Sequence, residues 1–410
     1  MKDTGFSTRI IATKYAKPDA HGAINFPIYK NAAFEYDTAE HIAAAFQNKL
    51  AGHTYSRITN PTVAEFEQKL KAASGAENAM VLASGMAAIS NAFLTVACAG
   101  ANIVSSPRLF GNTFSILKFT LEAFGVETRF VDTDNLDEIA AAIDENTCAF
   151  FCELITNPHL EIADLPEISK ILKAKNVPMI VDTTVVPPCG FDARAAGVDI
   201  EVLSTTKYIS GGATSIGGAI LDYGTFDWGK NKKLAAAPVA NPLKFMFKLR
   251  MEIARNIGAC AAPDTAYMQS LGLETLELRY KAMSRSAYEL AKHFSAHPKV
   301  LRANYPTLDT SPCKAIADKL FRDNLAGAMF TLHLESKAAC YQFLNNLQII
   351  RRATNMFDNK TLAIHPESTI YGTFSAEMKQ IIGVEDTLIR FSVGLENVED
   401  LRADIEKALV

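Results

Sequence analysis

Lys207 lies in the run Ser204-Thr205-Thr206-Lys207-Tyr208, at the end of the apolar stretch IEVLST (200–205), and a glycine-rich run, SGGATSIGG, follows it. A lysine at the carboxyl end of a buried strand is partly desolvated. Burial disfavours its ammonium form, so the amine becomes a nucleophile able to condense with an aldehyde. An ordinary surface lysine would leave the adjoining hydroxyls and glycines unexplained; together they suit a phosphate. Asp182 ends a second apolar run, PMIVDT (178–183). A carboxylate there can keep a pyridine nitrogen protonated and turn the ring into an electron sink, although a strand-end aspartate also serves as a cap for the next segment. The third feature, Ala83-Ser84-Gly85-Met86-Ala87, leads from a strand into an alanine-rich helix, whose first N–H groups form an anion site. Its signal is weak alone and gains weight from the other two.

These residues require a scaffold that brings strand ends together. Apolar runs at 78–83, 102–106, 127–132, 148–154, 178–183, 200–205 and 216–221 alternate with amphipathic stretches. That alternation predicts a seven-stranded, mostly parallel sheet covered by helices, an α/β domain with its ligands at the carboxyl ends of the strands. Residues 1–60, rich in Pro, Asn, Thr and aromatics, read as an extended arm with one helix (38–50) that packs on a partner subunit. Residues 61–258 form the α/β domain. From 259 to 410 a long helix (264–296) and short strands at 327–334 and 387–393 predict a smaller α+β domain.

The 410 residues carry a net charge of −4 with no basic stripe, which argues against nucleic acid as a partner. Seven scattered cysteines fit a reducing compartment rather than a disulfide framework. Cys148 and Cys152, on one face of a strand, read as packing; His293 and His297 read as a helix end without an acidic third ligand, so no metal is expected. The segment MKDTGFSTRII is too polar for an export signal, and a cytoplasmic location is expected. No residue from Asn78 to Pro107 is charged, a span longer than the ~20 residues of a membrane helix. Ser84-Gly85, Asn91 and Gly100 interrupt it at turn spacing, which predicts strand, helix and strand instead.

Taken together, these motifs resemble the Cys/Met-metabolism family of pyridoxal-phosphate enzymes, which have the aspartate-aminotransferase-like fold (fold type I), and the resemblance runs nearly end to end. It implies pyridoxal 5'-phosphate bound to Lys207 as a Schiff base. Tyr55 and Arg57, near Asn60-Pro61-Thr62, match an arm that reaches the neighbouring subunit's phosphate. Ser84, Gly85, Met86, Ser204 and Thr206 match the phosphate ligands within the subunit. Phe110 matches the ring-stacking position, Asn157 the cofactor's hydroxyl, and Asp182 and Thr184 the ring contacts. Arg390 matches the receptor for the substrate α-carboxylate, a role suited to a planar two-pronged donor, and Asn355 lies in the substrate-binding loop.

Stretches 214–228, 271–279 and 355–366 resemble O-acetylhomoserine sulfhydrylases within the family. The activity implied is γ-replacement on O-acetyl-L-homoserine by a sulfur nucleophile, giving L-homocysteine and acetate in methionine biosynthesis. Lys207 would move the protons at the α- and β-carbons. The alternatives are γ-elimination from methionine or cystathionine, and a catalytically silent cofactor-binding regulator. The partners implied are the amino-acid substrate, a sulfur donor, either a small molecule or a sulfur-carrier protein, and further copies of the chain, a homodimer at minimum and a homotetramer as the usual family arrangement. Membrane association is not expected. Phe110 stands where the family commonly has Tyr, so the phenolic proton donor is lost. Asn112 replaces the cysteine of methionine lyases, Gly212 a frequent His, and Phe357 a Gly.

Overall fold

Short apolar runs bounded by turn residues can bury both faces only inside a layered sheet, and that is where the seven runs lie. In the computed structural model, which describes residues 4–15 and 19–409, they form β1 (Asn78–Leu82), β2 (Asn102–Ser105), β3 (Glu127–Phe130), β4 (Thr147–Glu153), β5 (Met179–Asp182), β6 (Ile200–Leu203) and β7 (Gly218–Asp222). Residues 1–3 of the polar opening segment and 16–18 of the arm fall outside the described residues. The strand order is β1-β7-β6-β5-β4-β2-β3. β7 runs antiparallel to both its neighbours, and the remaining pairs are parallel. Apolar clusters cover the two faces of the sheet.

The uncharged stretch folds as β1, the helix Gly85–Val96 and β2. Ser84 starts the helix by accepting the Ala87 N–H on its hydroxyl at 3.0 Å. Among the described residues no helix is long and apolar enough to cross a membrane. Cys148 and Cys152 are both buried but lie in opposite clusters, contrary to the expectation of a shared face. The register between β2 and β4 slips at Asn102/Ile103, where Thr147 and then Ala149 are the partners, so a bulge turns Cys148 to the other side.

The second sheet holds β8 (Arg302–Asn304), β9 (Met329–His333), β10 (Arg351–Arg352), β11 (Leu362–Ile364) and β12 (Leu388–Ser392), in the order β10-β11-β12-β9-β8. The single long helix expected over 264–296 is two helices, Pro263–Glu274 and Leu276–Phe294, broken at Thr275. Arg279 sustains the break: its Nε donates to the Thr275 hydroxyl at 3.2 Å and its Nη2 to the Gly272 carbonyl at 2.5 Å. His293 and His297 have an acidic neighbour that sequence spacing could not reveal. Glu406, from the final helix, meets the two rings at 2.5 and 3.3 Å. No group of three or more His, Cys, Asp or Glu among the described residues is arranged to hold a metal.

Candidate active site

The carboxyl ends of β4, β5 and β6 set Glu153, Asp182 and the start of the Ser204 turn beside one another. Glu153 and Asp182 are register partners, and Asp182 pairs with Val202. The turn carries the chain to Lys207, whose N–H donates to the Ser204 carbonyl at 3.3 Å. Thr206 braces it, its hydroxyl donating to the Gly217 carbonyl at 3.1 Å and accepting the Gly217 N–H at 3.0 Å. On the far side of the lysine, Arg279 Nη1 donates to the Tyr208 carbonyl at 2.7 Å. Gly272 is what lets the helix Pro263–Glu274 press on this turn, since a Cβ there would collide with the Ile209 carbonyl.

Lys207 Nζ donates to Asn355 Oδ1 at 2.7 Å. Burial, helped by the Arg390 cation, pushes the lysine pKa down to about 8, with Asp182 opposing. Burial raises the pKa of Asp182, whose Oδ1 accepts the Thr184 N–H at 2.9 Å. Thr184 in turn accepts the Ser204 N–H on its hydroxyl at 2.9 Å, so these two strand ends are locked in step.

Arg390 enters from β12 and is buried. Its Nη1 donates to Asn157 Oδ1 at 3.0 Å, and Nη2 to the carbonyls of Thr354 and Asn355 at 3.3 and 3.2 Å. Nε has no partner, and no carboxylate among the described residues pairs with the guanidinium. Burial lowers its pKa to about 10. A desolvated cation without a counter-charge is costly, and an incoming carboxylate would offset that cost.

At the helix start, the first amides, of Gly85 and Met86, have no carbonyl four residues back within the helix. A Cβ on Gly85 would stand 2.8 Å from Ser204 Cβ, so the glycine keeps that helix end and the Ser204 turn in close apposition. An anion cradle, a carboxylate at a strand end and a shielded amine fit pyridoxal phosphate.

The structure thus brings together Lys207, Asp182, Thr184, Ser204, Gly85, Asn157, Asn355 and Arg390. Ser84 acts as the helix cap, Met86 occupies the first turn, and the Phe110 N–H donates to Glu153 Oε1 at 2.5 Å. Tyr55 and Arg57 are not tied to this group: the arginine lies over the tyrosine ring at 5.5 Å and donates to the Arg255 carbonyl at 2.5 Å. Phe357, in the place of a glycine, has φ +58°, and its ring stacks on Tyr208 at 4.3 Å while its N–H donates to Ser392 Oγ at 2.6 Å. That packing compensates a backbone that non-glycine residues seldom adopt. Gly212 has φ +146°, and a Cβ there would come 2.9 Å from Asn359 Nδ2. Glu153 and Tyr371 escaped the sequence reading. Glu153 carried a signal, a lone acid closing an apolar strand as Asp182 does; Tyr371, in a stretch of mixed polarity, carried none.

This fold and this edge define a pyridoxal-phosphate-dependent enzyme. The sequence pattern described as "Cys/Met metabolism PLP-dependent enzyme" matches residues 7–410, and the chain belongs to that family. It is similar to the crystal structure of an O-acetylhomoserine (thiol)-lyase from Campylobacter jejuni that holds a pyridoxyl-lysine phosphate, at 32% identity and a TM-score of 0.93 over 99% of this chain and 100% of that one. An O-acetylhomoserine sulfhydrylase structure from Wolinella succinogenes is 44% identical, with a TM-score of 0.77 over 86% of this chain and 98% of that one. An L-methionine gamma-lyase of Fusobacterium nucleatum is 35% identical, covering 100% of this chain and 99% of its own.

Proposed function

We propose that the protein catalyses γ-replacement on O-acetyl-L-homoserine, in which a sulfur nucleophile displaces acetate to give L-homocysteine, with Lys207 as the cofactor-bearing residue. One observation carries this reading. Asn355 accepts from the Lys207 amine on its side chain and from Arg390 on its backbone carbonyl, at 2.7 and 3.2 Å, so a base and a carboxylate receptor are joined through a single residue. An α-amino acid bears its carboxylate on the very carbon that must lose a proton, and such a junction serves both needs.

Bound pyridoxal phosphate supplies the electron sink for charge developing on the substrate. Arg390 binds the substrate carboxylate through its fork of donors. Lys207, with a pKa near 8, takes the α-proton and then manages a proton at the β-carbon. The bond between Cγ and the ester oxygen breaks, acetate leaves, a bond from sulfur to Cγ replaces it, and Lys207 returns protons to the β- and α-carbons. Asn355 orients the amine; Asp182 would hold negative charge for the ring nitrogen, Phe110 would cover the ring, Thr184 would contact it and Asn157 would lie at its hydroxyl. Ser84, Gly85, Met86, Ser204 and Thr206 serve the phosphate.

Tyr55 and Arg57 complete the site of a second copy, so the working unit is at least a dimer. Exposed apolar side chains along the arm, with Ile24 at 91% exposure and Ile28, Tyr29, Ile42 and Phe46 also open, support this. Seven free cysteines among the described residues fit the reducing cytoplasm. The similarity to a methionine gamma-lyase favours γ-elimination as the second reading. Product mass after incubating the enzyme with O-acetyl-L-homoserine and sulfide, alongside 2-oxobutanoate release from methionine without thiol, separates the two. Rapid methionine breakdown with no homocysteine formed would overturn the first.

A further inference from the structure

We infer that Glu153 is a positioning residue, a single carboxylate that fixes the Phe110 segment and the Asn157 segment relative to each other; the inference rests on the reading of this edge as the pyridoxal-phosphate site. Glu153 closes β4 and is 7% exposed. Its Oε1 accepts the Phe110 N–H at 2.5 Å and its Oε2 accepts the Asn157 N–H at 3.3 Å. The two segments belong to different connections, one after β2 and one after β4.

Tyr371 joins the same segments from the C-terminal region. Its hydroxyl points at the carbonyls of Leu109 and Asn157, at 3.2 and 2.9 Å. A phenol has one proton to give, whereas a carboxylate accepts two N–H groups at once on separate oxygens. The two acceptor oxygens of Glu153 and the single donor of Tyr371 thus form a double stitch between the two segments. Glutamine could accept only one of the amides and would turn its own NH2 toward the other.

The placement is expensive. Burial, then the Asp182 charge, push the Glu153 pKa up to about 8. A group meant only to fill the end of β4 would avoid that cost by being apolar. The consequence reaches both halves of the site. On the proposed reading of the site Phe110 would cover the cofactor ring, and the Asn157 side chain accepts from Arg390 at 3.0 Å, so Glu153 would link the cover of the cofactor to the receptor for the substrate carboxylate. No bond forms or breaks at Glu153.

The test compares the full-length wild type with Glu153→Gln and Glu153→Asp, all loaded with pyridoxal phosphate. The aspartate keeps the carboxyl group but is one methylene short of spanning both amides. We expect the visible circular dichroism of the bound cofactor to fall by about half, its dissociation constant to rise on the order of tenfold, and KM for O-acetyl-L-homoserine to rise more than kcat falls. Wild-type dichroism and affinity in the variants would overturn the inference while leaving the site reading intact. Should the glutamine variant not fold, the aspartate variant decides on the same readings. A wild type that takes up no pyridoxal phosphate overturns the site reading itself, and this inference with it.

Discussion

The Lys207 amine rests 2.7 Å from Asn355 Oδ1, a neutral acceptor that orients the ammonium without adding charge. Removing the amide leaves the amine free to swing, while the cofactor's own contacts are untouched. Asn355→Ala should lower kcat by about tenfold with cofactor affinity within roughly a factor of two. Steady-state kinetics and cofactor titration of the same preparation check this.

Capture of the aldehyde requires a neutral amine, and burial brings the Lys207 pKa down to about 8. A depressed lysine pKa means the neutral fraction grows as pH rises and saturates above that value. The rate at which apo-protein takes up pyridoxal phosphate should therefore climb about tenfold per pH unit below about pH 8 and level off above it. Asn355→Asp places a carboxylate against the ammonium, so the inflection should move upward by about one unit. Stopped-flow absorbance records both.

If Lys207 carries the cofactor, borohydride reduction should leave the pyridoxyl mass on the peptide containing that residue. Lys207→Ala should lose this label and about a thousandfold or more in turnover. Full activity in the variant would remove the basis of the whole assignment.

Arg390 is a buried cation with an unpartnered Nε and, among the described residues, no acidic counterpart. Arg390→Lys keeps a charge but loses the planar fork, and KM for O-acetyl-L-homoserine should rise about a hundredfold. Arg390→Met removes the uncompensated charge at similar volume. Its unfolding free energy should stay within about 1 kcal/mol of wild type despite lost activity, because relief of desolvation offsets the lost hydrogen bonds. Denaturant titration measures the difference.

Much of this was legible in the sequence because centrally placed strands must be apolar and must stop at turns. All seven strands of the large sheet lie where those runs predict, and Lys207 and Asp182 are visible as polar residues at their ends. The direction of β7 was not legible, since an apolar run reads the same parallel or antiparallel. The break at Thr275 was hidden because local propensity favours one helix, and the interruption depends on Arg279, which also reaches the Tyr208 carbonyl. Cys148 faces the other way because of a bulge that no spacing rule encodes. Glu406 and Tyr371 act through contacts that only the folded chain creates.

The bond from Arg279 to the residue after Lys207 makes an outlying helix pair part of the machinery's tuning. Any change that tilts residues 263–294, whether a substitution on their solvent face or a molecule leaning on them, would be transmitted to the lysine as a small rotation of its backbone. Altered colour of the holoenzyme, rather than lost stability, would then be the first symptom of damage far from the chemistry.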